Sequence, residues 1–200
     1  MIAMMAASTG VQAQSVAEEL TVEGKQYYEK NEYSEALQKL SQALKVDEKY
    51  APAYFVRGVI KKDLGDYQGA LKDLNKCLSL DTKMLEAYLE RGNVKYDLQD
   101  FKGAIADYSK CIELNPNNID AFYRRGQAKL QIDSYNDAIK DCDKVIDINA
   151  QNKDAFFLRG IIKIEYGMLE EGCADLSIAG EMGDLKAFDE IKKHCQNVQY

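Results

Sequence analysis

The 200-residue chain holds one histidine and two prolines, and no run of about 18 apolar residues interrupts it. A single histidine, His194, makes most zinc sites and Ser-His or Cys-His catalysis hard to assemble. The missing apolar run excludes a helical membrane span, and scarce proline leaves room for long helices. A basic excess is also lacking: 33 acidic against 26 basic residues give a net charge of -7. That balance argues against nucleic acid as a partner and against a surface drawn to anionic lipid. No phosphate-cradling loop, nucleophile–base constellation or C-x-x-C pair is present, so the expectation is a protein without enzymatic activity, cofactor or metal. Acidic pairs are plentiful but read as solvated charge on helix surfaces. What remains, 46% apolar and 30% charged, is the composition of a folded chain rather than a disordered one.

The organising signal is an internal repeat. Gly24, Gly58, Gly92, Gly126 and Gly160 stand at a constant interval of 34 residues, the mark of a repeat architecture. Other positions follow the same period. Twelve residues after each glycine comes Ala36, Ala70, Ala104, Ala138, then Gly172. Nine after it comes Tyr33, Tyr67, Phe101, Tyr135, then Leu169, and four before it Leu20, Tyr54, Tyr88, Phe122, Phe156. Each unit reads as two helices. In 85–118 the first carries Tyr88, Leu89, Gly92, Tyr96 and Leu98, and the second Ala104, Ile105, Tyr108, Ile112 and Leu114 at helical spacing. Asp100 sits where an N-cap is needed, and Asp66 and Ser134 hold the same position in other units. The paired glycine and alanine leave space for two helices to cross closely, with the aromatic residue filling the gap.

Aromatic, glycine, aromatic and alanine at these places in a 34-residue unit resemble the tetratricopeptide repeat (TPR) family. The resemblance implies an all-α fold, a right-handed superhelical solenoid of antiparallel helix pairs. It covers 17–186 as five units, 17–50, 51–84, 85–118, 119–152 and 153–186. Residues 184–200 are expected to form a capping helix and tail, with Leu185, Phe188 and Ile191 buried, because a stack otherwise leaves its last apolar face wet. The chain departs from the family in three ways. Only Pro116 keeps the usual proline, Lys61, Lys95, Lys129 and Lys163 replace an aromatic matched only by Tyr27, and the fifth unit is the most degenerate.

Arg57, Arg91, Arg125 and Arg159 precede the glycines, and Asp73, Asp107, Asp141 and Asp175 follow sixteen residues behind them. These ladders read either as a basic stripe for an anionic ligand or as one arginine–aspartate bridge per repeat. Their matched number and spacing favour the bridge. Of five cysteines, Cys77 and Cys111 share a small-residue slot with Ala43, Val145 and Ala179, and Cys142 takes the place of Tyr108; all three read as buried thiols. Cys173 and Cys195 lie on the last repeat helix and the cap, and are the pair for a disulfide if the protein is exported. Residues 1–16 differ from the array: an apolar Met1–Ala7 run and Val11-Gln12-Ala13 before Gln14 read either as a secretory-signal remnant, implying a periplasmic or secreted protein, or as a plain N-terminal arm of a cytoplasmic one.

In the TPR family the first helices line a concave wall that binds peptides or partner helices. By register, that wall here holds Phe55, Val59, Lys62, Leu89, Asn93, Tyr96, Tyr123, Arg124, Gln127, Phe157, Ile161 and Ile164, with an acidic fringe of Glu86, Glu90, Asp97, Asp120 and Asp154. The carboxylate clamp of chaperone-docking TPR domains is not carried over: only Asn93 and Arg124 match it, and acids such as Glu86 and Asp120 stand where it has lysines. The function this implies is a non-catalytic scaffold binding another protein or a peptide in the groove, through an apolar segment with or without basic residues. The alternative is an assembly factor of an envelope or periplasmic complex, self-associating through its convex face or its ends.

Overall fold

The structure, a computed structural model, describes the backbone of residues 2–196 and the side chains of 12–196. Among the described residues there are eleven α-helices and no strand: α1 (Ile2–Glu29), α2 (Tyr33–Val46), α3 (Ala51–Asp63), α4 (Tyr67–Leu80), α5 (Leu85–Asp97), α6 (Phe101–Leu114), α7 (Ile119–Leu130), α8 (Tyr135–Ile148), α9 (Lys153–Glu165), α10 (Leu169–Glu181) and α11 (Leu185–His194). The chain divides into two compact units, 1–98 and 99–200. In the first, α1 packs on α2 and α3 on α4; in the second, α7 packs on α8, α9 on α10, and α11 on α10. Both units are thus built of helix pairs, the all-α fold implied by the period. The segment compared with a signal remnant falls within α1, which runs without a break from Ile2 to Glu29; the side chains of 1–11, and residues 197–200 of the tail, lie outside the described residues.

Small residues set how closely each pair crosses. A Cβ added at Gly58 would stand 2.9 Å from Leu74 Cγ, and one at Gly160 would meet both Leu176 Cγ and the Gly172 carbonyl at 2.9 Å. At Gly126 the nearest atom is the Ala138 carbonyl at 3.5 Å, because Cys142 occupies the place of those leucines. Gly58→Ala is therefore expected to overpack its crossing and cost roughly 1–3 kcal/mol. Gly126→Ala should be neutral or stabilising by up to about 1 kcal/mol, since alanine is the better helix former. Denaturant melts of the two variants check this; equal losses would contradict the crossing geometry. Gly172 replaces the alanine of other units for a related reason: its Cβ would lie 2.7 Å from Ile164 Cγ1 and 2.8 Å from the Gly160 carbonyl.

A second ladder escaped the sequence reading. Asn31, Gly65, Gln99, Asp133 and Gly167 have φ of 62°, 78°, 61°, 57° and 91°, and they too are spaced by 34 residues. Each follows a first helix. At Gly65 the turn closes by two hydrogen bonds, Gly65 N–H to the Lys62 carbonyl and Asp66 N–H to that of Lys61. The same pair recurs at Asn31, Asp133 and Gly167. This left-handed helix ending suits glycine, asparagine and aspartate; Gln99 holds the same conformation with a side chain less suited to it. Second helices start on side-chain caps at Asp66 and Asp100, which accept from the Gly69 and Gly103 amides at 2.9 Å. Ser134, expected to act likewise, makes no side-chain cap bond.

The capping helix packs differently from expectation. Ala187 is fully buried, Ile191 half-buried and Cys195 buried, whereas Leu185 is 78% and Phe188 54% exposed. Two constraints fix the rotation of α11: Asp184 caps the Lys186 amide, and Cys195 is disulfide-bonded to Cys173 with the Cα atoms 5.9 Å apart. The stripe 187–191–195, spaced by four, therefore meets α10. Leu185 points out, and Phe188 lies at the edge, its ring 3.2 Å from where a Cβ on Gly180 would be. Leu98 and Leu114, placed in the apolar stripes of their unit by period alone, are also exposed, at 38% and 37%; both lie at helix ends, beyond the packed turns.

Candidate functional site

The arginine ladder is structural. Arg57 donates from Nε and Nη2 to the two carboxylate oxygens of Asp73 at 2.8 and 2.7 Å. Arg125 does the same to Asp141 at 2.9 and 2.7 Å, and Arg159 to Asp175 at 2.8 and 2.6 Å. All three aspartates are buried. Each guanidinium also sits over the aromatic ring three residues back, Tyr54, Phe122 or Phe156, at 5.2–5.5 Å, and reaches the preceding helix pair where a partner is in place: Arg125 to Ser109 at 3.0 Å, Arg159 to Asp143 at 2.6 Å. The lysines that depart from the family pattern have a purpose. Lys61, Lys129 and Lys163 bring a second cation to the same aspartates at 2.8, 2.7 and 2.7 Å. Burial pushes the Asp73 carboxyl up, but Arg57 and Lys61 outweigh it and hold the group below its ordinary value. A carboxylate so engaged leaves little of this stripe for an external anion.

In the first unit, α1, α3 and α5 touch in succession, and the residues expected on the wall are all partly exposed: Phe55, Val59 and Lys62 on α3, Leu89, Asn93 and Tyr96 on α5. Phe55 and Val59 come together with Tyr28, Lys25, Glu29 and Glu90 around a depression of about 260 Å³. Its polar groups are cross-linked. Lys62 Nζ bonds Glu90 at 2.6 Å, Asn93 Nδ2 donates to the same oxygen at 3.3 Å, and the Tyr28 hydroxyl donates to Asp63. Lys62 and Asn93 are thus held by a neighbour rather than free as handles. The bond to Asp63, with burial, pushes the Tyr28 hydroxyl up to about 12. Tyr28 was missing from the expected wall although it follows Gly24 by four, as Lys62 follows Gly58, so the register itself contained the signal.

In the second unit, Phe157, Ile161 and Ile164 of α9 line a depression of about 380 Å³ with Glu165 and with Glu190, Lys193 and His194 of α11. The contribution of α11 was not anticipated. It places the only histidine on this rim, Nε2 3.3 Å from Glu190. On α7, Arg124 is exposed and Gln127 half-buried. Tyr123 packs against the core around Leu158 and Ile162 and against Val145 and Ala155, and burial pushes its hydroxyl up to about 12. It is more a wall stone than a contact. The thiols of Cys77 and Cys142 are also pushed up to about 12 by burial, which makes them poor nucleophiles. Among the described residues no group of three His, Cys, Asp or Glu side chains is placed to hold a metal ion, and no helix is long and apolar enough to cross a membrane.

Helix pairs at a fixed period, a small-residue crossing in each, and a left-handed turn after each first helix define the class of all-α tandem repeats. Within that class the chain belongs to the tetratricopeptide repeat family. One family profile, described as TPR repeat, matches 24–65 and 92–133, and a second, tetratricopeptide repeat, matches 51–84 and 119–152. No curated protein sequence matches the chain. Among solved structures it is similar to MamA, at 25% identity over 82% of this chain and 96% of that one with a TM-score of 0.77. It is similar in fold to YrrB, described as a TPR protein with an unusual peptide-binding site, at 22% identity over 87% and 90% with a TM-score of 0.79. A tetratricopeptide repeat protein from Parabacteroides merdae is alike in fold at 21% identity over 93% and 81%, again with a TM-score of 0.79.

Proposed function

We propose that the protein is a non-catalytic scaffold that binds a segment of another protein on the wall formed by its first helices. The observation that carries this reading is the pair of depressions floored by apolar side chains, Phe55 and Val59 in one unit and Phe157, Ile161 and Ile164 in the other, each with carboxylates at its rim, Glu29 and Glu90 in the first and Glu165 and Glu190 in the second. Apolar floors with a few fixed polar groups suit an amphipathic helix or an extended peptide, and the carboxylates select for an apolar segment that also carries lysine or arginine. YrrB, with its described peptide-binding site, lends support by analogy. The Cys173–Cys195 bond fits an exported protein, since disulfides persist in oxidising compartments.

The test is affinity purification from the native host with the wild type, Val59→Asp and Arg124→Glu. Both substituted side chains are partly or fully solvent-accessible, so the variants should melt like the wild type. A partner lost with either variant supports the wall. A partner retained by both moves the binding site to the second helices or the ends and favours the assembly role. Salt separates the two readings as well: docking of a basic segment on these carboxylates should weaken as ionic strength rises, whereas apolar end packing should not.

A further inference from the structure

Among the described residues, two exposed helix faces carry large apolar side chains, and they are opposite in charge. On α11, Leu185 and Phe188 are the most exposed large apolar side chains among the described residues, at 78% and 54%. Lys186 and Lys192 are exposed around them with one exposed acid, Asp189, while Lys193 lies 3.5 Å from Glu190. On α1, Val22 is 49% and Val16 39% exposed. Val22 shares its face with Glu19, Glu18 and Ser15, at helical spacings of three, four and seven, and a shallow depression of about 510 Å³ lies against these residues. Terminal faces of repeat proteins are ordinarily polar, and large apolar side chains rimmed by charge mark interaction sites.

We propose that the protein assembles head to tail, the valine-and-glutamate face of α1 in one copy docking on the leucine, phenylalanine and lysine face of α11 in the next. Charge selects this pairing. Two α11 faces brought together would oppose lysines, and two α1 faces would oppose glutamates, each a costly juxtaposition. Only the α1–α11 pairing sets Glu18 and Glu19 against Lys186 and Lys192 while covering Leu185 and Phe188. Such a contact joins two different surfaces, and each copy carries one of each. The wall of the proposed function takes no part in it.

The test is sedimentation velocity on the full chain over a concentration series. The wild type should rise in mass as concentration increases, and fall back at high salt. The double variants L185S/F188S and E19K/V22K each lose one face and should be monomeric alone, with unchanged helicity by circular dichroism. Mixed in equal amounts they should form a dimer and nothing larger, because each retains the face the other lacks. Val59→Asp should assemble as the wild type does. A wild type that stays monomeric at all concentrations overturns the proposal, as does oligomerisation surviving in either double variant or a mixture that remains monomeric. A protein other than a second copy on the α11 face would appear as the first of these outcomes.

Discussion

Replacing Asp73 with alanine is expected to cost about 3–5 kcal/mol, the usual penalty for removing one partner of a buried ion pair. The carboxylate is 3% exposed and receives Arg57 and Lys61, themselves only 20% and 23% exposed; without it two cations are left in poorly solvated positions. Asp73→Asn separates charge from shape. Because Arg57 and Lys61 hold the folded carboxyl below its ordinary value, its stabilisation is fully present above the unfolded pKa of about 4 and fades as pH falls through the lower folded value. Urea melts from neutral to acid pH should therefore show a flatter acid limb in the asparagine variant than in the wild type. An alanine variant within about 0.5 kcal/mol of the wild type, the range of ordinary surface substitutions, would mean that the three-residue cluster is not a tie between helices.

Breaking the Cys173–Cys195 bond is expected to cost about 3 kcal/mol, the chain-entropy estimate for its separation of 22 residues. The loss should be local. Beyond the bond, α11 is held chiefly by Ala187 and Ile191 on α10, a small apolar contact that supports only marginal protection on its own. Cys195→Ala, or reduction of the wild type, should speed amide exchange across Leu185–His194 while leaving α7 and α8 unchanged. Exchange in α11 that does not respond to the loss of the bond would show that packing alone seats the cap.

Much of the fold was legible because the period of 34 residues repeats a steric requirement in each unit. Glycine against leucine and alanine at a helix crossing cannot be exchanged for larger residues without a clash, so the pattern survives in the letters. The arginine–aspartate bridges were legible for the same reason, through matched spacing. The lysines were not: Lys61 and its counterparts look like a departure until the buried carboxylate between helices is seen to accept two cations. The turn ladder was hidden by its mixed chemistry, since Asn31, Gln99 and Asp133 share a backbone conformation with Gly65 and Gly167 but no side-chain property that periodicity detects. On the candidate wall, the register placed Phe55 and Val59 on α3 and Phe157, Ile161 and Ile164 on α9. It could not show that Glu90 holds Lys62, that Tyr123 packs against the core, or that α11 adds His194 and Glu190, because each depends on contacts between different helices. For α11 itself, hydrophobicity suggested Leu185 and Phe188 as the buried face; the cap at Asp184 and the bond at Cys195 rotate it otherwise.

The most direct measurement of the central reading is the Kd of a captured partner segment for the wild type and for Val59→Asp, at low and high salt. The wall predicts at least a tenfold loss in the variant, equivalent to about 1.4 kcal/mol, with an unchanged melting temperature, and a wild-type affinity that weakens with added salt. Equal affinities for the two proteins would contradict it.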